Sequence, residues 1–437
     1  MNKNIYDFEI HNLGEKSIPS PLSVSHFTSD DERIMFDLNL SKYQEDIKTG
    51  SLPLSLEMAG PREMLYFDPS KVKAAIVTCG GLCPGINDVI RALVMELYYR
   101  YGVRNITGIR YGFQGLIPRF GHDVMELKPE VVKDIHSEGG SILASSRGGQ
   151  NIGKIVDALV RMNISLFFCI GGDGTMKAAE LITEELTKRN LKIGVICVPK
   201  TIDNDLPFIS KSFGFDTAIS EAVKAVQCAH VEAKGAPMGI GMVKLMGRYS
   251  GHIATLTALA QGDVNFVLIP EVDFDLEGER GFFKVLERRL IRRGHVVILV
   301  AEGAGQDLFC REDNAVETDA SGNVRLDDIG LFLKEKIEGY FRKTGVDINL
   351  KYMDPSYMIR SVPANASDSH YCGVLARYAV HAGMAGKTGM LVGQWNGSLI
   401  HLPLKTVTSE RKLIDPKGGH WMQVLESTGQ PPSMKNN

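Results

Sequence analysis

Residues 164–175, ISLFFCIGGDGT, decide the fold class of this 437-residue chain. An uncharged apolar run is followed at once by a glycine-rich turn, and a helical repeat starts near residue 176. Such a run is typical of a strand that is buried on both faces of a parallel sheet. The same texture recurs in AAIVT (74–78), IGVICV (193–198), VNFVLI (264–269), HVVILVA (295–301) and GMLVG (389–393).

Longer stretches with a 3.6-residue period separate these runs. In INDVIRALVMELYYRYG (86–102) the residues Val89, Leu93 and Leu97 lie on one apolar stripe, and a glycine ends the pattern. Further helices are predicted near 176–189, 217–231, 281–293, 327–342 and 370–383. The order of elements predicts an α/β fold with two doubly wound, Rossmann-like domains, each built on a mainly parallel sheet. Ligands of such folds bind beyond the carboxyl ends of the strands.

Composition narrows the classes of partner. The 49 Lys and Arg residues nearly balance 52 Asp and Glu, without a long run of one sign, which argues against nucleic acid and anionic membranes. The seven cysteines are scattered, with no CxxC pair and no zinc-finger spacing, so we expect reduced thiols. The first residues, MNKNIYDFEIHN, lack the apolar core of a signal peptide, and no apolar run is long enough to cross a membrane. These features predict a cytoplasmic protein.

The segment before the first apolar run has a different character. Residues 1–70 are polar, contain five prolines and show no sustained helical or strand period. We interpret them as an irregular N-terminal extension that wraps a neighbouring part of the protein.

The first loop whose residues suggest a functional role is GGLCPGIN (80–87), which lies between a predicted strand and a predicted helix. Its glycines let backbone N–H groups approach an anion that also feels the helix N-terminus. A tight turn without a ligand is an equally open interpretation. Cys79 and Cys83 flank the loop, but without further ligands this pair favours packing over metal binding.

The second loop is GGDGT (171–175), directly after the strand quoted at the start. An aspartate between glycines can meet magnesium while nearby amides receive phosphate oxygens. Sugar, lipid and dinucleotide kinases share this pattern, so it indicates a phosphoryl donor more specifically than an acceptor. The alternative is a simple turn from strand to helix.

The third loop, PKTIDND (199–205), follows the strand IGVICV and carries two carboxylates, a hydroxyl and a lysine. Phosphoryl transfer to an alcohol needs a base near the attacking oxygen and neutralisation of charge on the transferring group. Asp203 and Lys200 could meet these two needs. Asp-Asn-Asp is also a good turn sequence, so a structural role stays open.

Three further segments complete a recognisable order: KLMGRYSG (244–251), AEGAG (301–305) and DPSYMIRSVPANASD (354–368). Together with the three loops they resemble the phosphofructokinase family over roughly residues 60 to 410. The pattern is more similar to the long-chain ATP-dependent branch of plants and kinetoplastids than to the short bacterial enzymes, because of the N-terminal extension, Lys200 and the YMIR ending.

The resemblance implies a glycolytic kinase that transfers the γ-phosphoryl group of ATP to the 1-hydroxyl of fructose 6-phosphate, and a homotetramer built from dimers. By position, Asp203 would be the base for the 1-hydroxyl and Asp205 would support it. Thr201 would lie beside the transferring phosphoryl group, and Arg248 would stabilise charge in transfer.

The resemblance also implies two sets of binding residues. Asp173 would hold Mg²⁺, and the nucleotide phosphates would meet Gly81, Arg147, Gly172, Asp173, Gly174, Thr175 and Lys200. The sugar phosphate would be bound by Thr201, Ile202, Asp203, Met246, Gly247, Arg248, Glu302, Tyr357, Met358, Ile359 and Arg360. Arginine suits the 6-phosphate because its planar fork can give two hydrogen bonds to one phosphate. The nucleotide-binding domain would comprise 71–215 with 359–410, and the sugar-phosphate domain 216–358 with 411–437.

Several of these positions have plainer alternatives. Arg147 could be an ordinary loop arginine, and Glu302 could be a buried carboxylate at a strand end. Tyr357 could pack a turn, and Met246 could belong to the core. Two arginines that short bacterial enzymes send into a neighbouring subunit's sugar-phosphate pocket fall here on Gly239 and Lys351.

Two positions bear on the phosphoryl donor. Gly174 leaves room for the α-phosphate of ATP, where pyrophosphate-dependent relatives carry an aspartate. Lys200 resembles those pyrophosphate enzymes but is compatible with either donor, so we favour ATP. A pyrophosphate-dependent phosphofructokinase is the main alternative. A lipid or NAD kinase would not need the later motifs, and a silent regulatory subunit would be expected to lack Asp203, Asp173 or Arg248, all of which are present.

Overall fold

The computed structural model describes residues 6–309 and 324–436. These residues form two compact units. The first comprises Met1–Thr201, Leu206–Gly214 and Val362–Arg411, and the second Ile202–Asp205, Phe215–Ser361 and Lys412–Asn437. Cys310 lies outside the described residues, and the other six cysteines are free thiols. Within the described ranges no helix is long and apolar enough to span a bilayer.

The first unit is built on a seven-stranded sheet. From one edge to the other the strands are Ser398–Pro403, Met390–Trp395, Gly194–Pro199, Leu166–Gly171, Lys73–Thr78, Asn105–Ile109 and Val124–Glu126. The five inner strands are parallel and each edge strand is antiparallel to its neighbour. Every residue of Leu166–Gly171 and Gly194–Pro199 is buried, as their uncharged sequences predict.

The second unit has a four-stranded sheet in which all strands are parallel. The strand order is Phe266–Leu268, His295–Ala301, Gly239–Leu245 and Asn349–Met353. Each unit therefore has its own mainly parallel sheet covered by helices, and the predicted α/β class is confirmed.

Sequence inspection missed the strand Gly239–Leu245, which lies inside the second sheet. Glycines and a lysine interrupt its apolar pattern, and glycine weakens a strand in general. Here the glycines are required, because a helix packs directly on the strand. A Cβ at Gly239 would lie 1.9 Å from the carbonyl oxygen of Ala233, and one at Gly241 would lie 2.4 Å from that of Ala229. An arginine at position 239 is therefore sterically excluded.

Helices cover both sheets. In the first unit the α-helices are Leu40–Thr49, Ile86–Met95, Pro129–Val132, Ile152–Arg161, Asp173–Lys188, Ala366–Met384 and Leu404–Val407. In the second unit they are Phe215–Lys234, His252–Gln261, Phe282–Arg293, Ile329–Thr344, Ser356–Arg360 and Gly419–Thr428. The helix predicted over 86–102 is α-helical only to Met95 and continues as a π-helical turn, Glu96–Arg100.

The prediction of an irregular N-terminal extension was wrong in one part. Leu40–Thr49 is a ten-residue helix with an Asn39 N-cap and a left-handed Gly50 after its end, although it buries none of its residues. Its weak apolar pattern explains the error, since no core contact imposes a stripe. The rest of the extension contributes short strands, of which Ser55–Glu57 carries a buried carboxylate.

That carboxylate, Glu57, lies in a buried polar cluster of the first unit. It accepts hydrogen bonds from Arg62 at 3.0 Å, Lys387 at 2.8 Å and His401 at 2.9 Å. Asp30 adds a second acid that contacts Arg62 at 2.8 Å and Lys387 at 3.0 Å. The cluster joins the N-terminal extension to the last strands of the large sheet.

Candidate active site

The first predicted phosphate loop follows the strand Lys73–Thr78 and leads into the helix Ile86–Met95. A second loop lies against it. The Ser145 hydroxyl donates to the carbonyl of Gly80 at 2.7 Å, and the Gly80 N–H donates to Ser146 at 3.1 Å. Arg147, the next residue, is exposed, so its side chain is available to a ligand at this edge of the sheet. Cys83 is buried with its thiol 3.3 Å from the carbonyl of Phe213, as the packing interpretation expects.

The second predicted loop opens the helix Asp173–Lys188, with Gly172 as its N-cap. The N–H groups of Thr175 and Met176 bond to the carbonyl of Gly172 at 2.9 and 3.0 Å. Gly174 is exposed, and no heavy atom lies within 4 Å of the position of a Cβ there. The helix N-terminus offers a partial positive charge that favours an anion at this place.

Asp173 is partly exposed and already pairs with two cations of its own unit. Lys177 lies 3.1 Å and Arg411 3.0 Å from its Oδ2. An ionised carboxylate has about four lone-pair sites, so its second oxygen has capacity for a metal ion. Mg²⁺ commonly uses one or two carboxylates together with substrate phosphates, and Asp173 fits that pattern. No group of three or more His, Cys, Asp and Glu in 6–309 and 324–436 could hold a metal ion by itself.

Lys200 connects the two phosphate loops. Its backbone N–H donates to the carbonyl of Gly171 at 2.9 Å, and its Nζ donates to the carbonyl of Gly81 at 2.7 Å. The side chain is buried, at 5% exposure. The structure thus brings Gly81, Gly172 and Lys200 together at the carboxyl ends of neighbouring strands. Thr201 follows, and its carbonyl accepts a hydrogen bond from Ser212 at 2.5 Å.

The acidic turn, Ile202–Asp205, belongs to the second unit. Asn204 has a left-handed backbone with φ of 52° and is buried, so the turn interpretation of Asp-Asn-Asp is correct. The Ser250 hydroxyl donates to the carbonyl of Asp203 at 3.1 Å. Ile202 has its side chain in the protein interior, at 6% exposure. A turn conformation and a chemical role for its carboxylates are compatible.

The predicted Met-Gly-Arg and Ala-Glu-Gly segments pack on each other through their backbones. The Gly303 N–H donates to the carbonyl of Gly247 at 3.1 Å, and a Cβ at Gly303 would lie 2.0 Å from that of Arg248. Gly247 has φ of 131°, which side chains rarely tolerate. Met246 is half-buried rather than in the core.

Two charged side chains of these segments, Arg248 and Glu302, lie in partly buried surroundings. Arg248 donates to the carbonyl of Val324 and lies 5.5 Å from the Tyr249 ring, while its Nε is buried and has no hydrogen-bond partner in the described part of the chain. Burial raises the pKa of Glu302, and the nearby Arg248 and Lys244 oppose that shift. A buried cationic N–H without an acceptor suits an anionic ligand.

The segment Ser356–Arg360 is a single helical turn. Tyr357 and Met358 are exposed, at 73% and 72%, and the Arg360 guanidinium lies 4.8 Å from the Tyr357 ring. Ile359 points into the core at 1% exposure, so only its backbone is open to a ligand.

Sequence reasoning missed the lysine that holds this helical turn. Lys244 lies 3.0 Å from Asp328 and 2.9 Å from Asp354, and burial, which would lower the pKa of Lys244, is outweighed by these two carboxylates. Asp354 also caps the turn by accepting from the N–H of Ser356 at 3.1 Å. The signal in the sequence was a lysine inside the apolar run GMVKL.

The Phosphofructokinase family profile matches residues 73–383. The chain belongs to the phosphofructokinase family. The predicted family is therefore confirmed, and the kinase motifs identified above all lie within or next to the matched range.

Three relatives extend the match beyond that range, and each is named as an ATP-dependent 6-phosphofructokinase. The protein from Borreliella burgdorferi is 52% identical, covering 100% of this chain and 99% of its own. The one from Amycolatopsis methanolica is 46% identical over 99% and 96%. ATP-dependent 6-phosphofructokinase 7 of Arabidopsis thaliana is 50% identical over 88% and 79%.

Solved structures confirm the fold. A pyrophosphate-dependent phosphofructokinase from Marinobacter aquaeolei matches with a TM-score of 0.66 at 18% identity, covering 82% of this chain and 91% of its own. Pichia pastoris phosphofructokinase in the T-state matches with a TM-score of 0.62 at 20% identity, covering 82% and 37%. At these identities the likeness supports the architecture alone.

Proposed function

We propose that this phosphofructokinase transfers the γ-phosphoryl group of MgATP to the 1-hydroxyl of fructose 6-phosphate. The relatives from Borreliella burgdorferi and Amycolatopsis methanolica carry the ATP-dependent name and cover at least 99% of the chain. They bear out the predicted enzyme class and do not favour the pyrophosphate alternative.

One observation carries the proposal. The six residues 200–205 include both a residue proposed to serve the phosphate donor and the residue proposed as the base for the sugar hydroxyl. Lys200 bonds to the first phosphate loop at Gly81, and three residues later Asp203 begins the acidic half of the same segment. A lysine bonded to the proposed donor loop and the proposed base are thus only three residues apart in the chain. Phosphoryl transfer needs such positioning more than it needs covalent chemistry from the protein.

In the proposed reaction Asp203 accepts the proton of the sugar 1-hydroxyl as that oxygen attacks the terminal phosphorus. Arg248 stabilises the charge on the transferring group, since its buried Nε lacks an acceptor among the described residues. Asp205 and Thr201 support the acceptor and the phosphoryl group. Glu302, Met246 and the Tyr357–Arg360 turn would bind the sugar phosphate.

On the donor side, the phosphates would lie at the N-terminus of the helix Asp173–Lys188 and beside Gly81 and Arg147. Asp173 would hold Mg²⁺, which neutralises charge on the β- and γ-phosphates when bound. Lys200 is compatible with either donor, because its bond to the Gly81 carbonyl uses one of the three N–H groups of the ammonium. The open space at Gly174 favours ATP, since it leaves room for an α-phosphate.

The assay that tests this function supplies purified protein with fructose 6-phosphate, Mg²⁺ and either ATP or pyrophosphate, and follows the bisphosphate by ³¹P NMR. We expect product with ATP and little with pyrophosphate. Product with pyrophosphate but not with ATP would show that pyrophosphate is the phosphoryl donor. No product with either donor would overturn the proposed kinase activity. We further propose a cytoplasmic enzyme that assembles as a homotetramer, which sedimentation of the full chain would test.

A further inference from the structure

The acidic turn Ile202–Asp205 is held by two residues outside it, Ser250 and Lys412, of which only Ser250 belongs to a segment singled out in the sequence. Ser250 donates to the carbonyl of Asp203 at 3.1 Å. Lys412 makes two contacts: its N–H donates to the carbonyl of Asp205 at 2.9 Å, and its Nζ donates to Oδ1 of Asn204 at 3.0 Å. Three consecutive residues of the turn are therefore each fixed by a hydrogen bond to residue 250 or 412.

The backbone of Asn204 explains why such support is needed. Its φ of 52° places it in the left-handed region, which costs most residues about 1 kcal/mol or more, although asparagine tolerates it better than others. Such conformations persist when the surroundings over-determine them. Lys412 contacts both the side chain of Asn204 and the residue after it, so it acts where the turn is least favourable.

Lys412 is itself anchored. Two residues later, the N–H of Ile414 donates to the carboxylate of Glu271 at 2.9 Å. The same carboxylate accepts the N–H of Gly251 at 2.9 and 3.0 Å, directly after Ser250. One half-buried acid thus ties together the two chain segments that hold the turn, and desolvation raises the pKa of Glu271.

The environment of Lys412 is unusual for a structural lysine. Burial lowers the pKa of Lys412 to about 8, and the nearby Asp205 opposes this shift. Burying an ammonium group is unfavourable unless it gains partners. The Nζ of Lys412 donates to Asn204 of the acidic turn, and the charge of Asp205 lies nearby.

We propose that Lys412 is a positioning residue that holds the acidic turn so that Asp203 is presented to the sugar hydroxyl. This inference rests on the proposed function, in which Asp203 is the base. Lys412 acts through Asn204 and Asp205 and does not itself touch the reacting atoms. A misplacement of about 1 Å at a reacting group can lower a rate by about 10²-fold, so loosening the turn should appear in kcat.

The test uses the full-length enzyme with Lys412→Met, which keeps the length of the side chain and removes its donor. We expect kcat to fall about 10- to 100-fold with KM for both substrates within about threefold of wild type. Lys417→Met, an exposed lysine of the same segment, is the matched control and should leave both constants unchanged.

A double-mutant cycle separates positioning from general damage. Asn204→Gly removes the acceptor amide and tolerates the left-handed backbone. If both residues act through their common bond, Lys412→Met with Asn204→Gly should have nearly the kcat of either single variant. Losses that multiply would overturn the proposal, as would a kcat for Lys412→Met within about twofold of wild type, or a change confined to KM. Should Lys412→Met fail to fold, Asn204→Gly alone decides, since it must show the same fall in kcat.

The activity of the wild-type enzyme distinguishes failure of the proposed kinase function from failure of the positioning role of Lys412. An inactive wild type overturns the proposed kinase and this inference with it. An active wild type with unaffected variants overturns the role of Lys412 alone.

Discussion

The Nζ of Lys200 donates a 2.7 Å hydrogen bond to the carbonyl oxygen of Gly81, and so joins two loops that are more than a hundred residues apart in the chain. A lysine at this position could have been taken to point at the leaving phosphate. The bond to Gly81 uses one of the three N–H groups of its ammonium and shapes the first predicted phosphate loop.

Removing this bond should weaken use of the donor. Hydrogen bonds to charged groups contribute about 1.5–3 kcal/mol, so we expect Lys200→Met to lower kcat/KM for ATP about 10- to 100-fold. KM for fructose 6-phosphate should change much less, and steady-state kinetics with each substrate varied would show it. Lys192→Met, at an exposed lysine close in the chain, should be silent. Equal losses for both substrates would contradict the assignment of Lys200 to the donor side.

Gly174→Asp tests the donor itself. Because no protein atom lies within 4 Å of a Cβ at this position, the variant should fold and melt like wild type. Its carboxylate should repel the α-phosphate and raise KM for ATP by about tenfold or more, an effect of at least about 1.4 kcal/mol. Gly419→Asp is a matched control, since it also lies in an open first helical turn. Undiminished ATP turnover in Gly174→Asp would refute the steric argument.

The buried cluster around Glu57 predicts where the N-terminal extension draws its stability. Burial alone would raise the pKa of Glu57, but His401 and Lys387 lower it to about 2. The stabilisation is therefore present above pH 4.5 and is lost as the pH falls towards 2. Glu57→Gln removes one of the two carboxylates that pair with the buried Lys387 and leaves Asp30 at 3.0 Å, so we expect about 1–3 kcal/mol of destabilisation at pH 7.

Urea unfolding of Glu57→Gln and of Glu63→Gln, an exposed control in the same extension, would measure this difference. The gap between the Glu57 variant and wild type should narrow as the pH is lowered from 4.5. A gap that stays constant over that range would show that charge at Glu57 is not the cause.

Buried histidines predict a second pH dependence. Burial lowers the pKa of His381, which contacts the Tyr101 hydroxyl at 2.8 Å, to about 3. The unfolded chain then binds a proton below pH 6.5 that the folded chain does not, so stability falls as the pH drops from 6.5 towards 3. At pH 5 this amounts to about 2 kcal/mol for one histidine.

His381→Gln should therefore flatten the fall in melting temperature between pH 7 and 5, whereas His11→Gln, at an exposed histidine, should not. Calorimetry at several pH values would check the slope. An unchanged slope in His381→Gln would mean that another group titrates in its place.

The parts of the fold that could be predicted from sequence were those in which local pattern and tertiary context agree. Uncharged runs such as ISLFFCI identified four of the five inner strands of the large sheet, because burial on both faces leaves no place for a charge; the fifth, Asn105–Ile109, was missed. The strand Gly239–Leu245 was not predicted because its glycines interrupt the apolar pattern, and these glycines are needed where a helix packs closely on the strand. The exposed helix Leu40–Thr49 was not predicted because it buries none of its residues, so no buried apolar stripe marks it in the sequence.

The candidate site shows the same division. Gly81, Asp173, Lys200 and Asp203 were predicted as site residues because each lies in a short motif that follows a strand. Lys244 and Lys412 were missed because their partners come from distant segments, and a single lysine carries no local signature of its contacts. The roles of all these residues remain predictions for the enzyme.

The role of Asp203 as the general base is tested most directly by measuring kcat of Asp203→Asn with ATP and saturating fructose 6-phosphate. This change keeps the shape of the side chain and removes its basicity, with the exposed Asp347→Asn as control. Removal of a general base typically lowers a rate about 10²–10⁴-fold, so we expect kcat to fall by that factor while KM for fructose 6-phosphate stays within about threefold of wild type. A kcat within about tenfold of wild type in a correctly folded variant would contradict it.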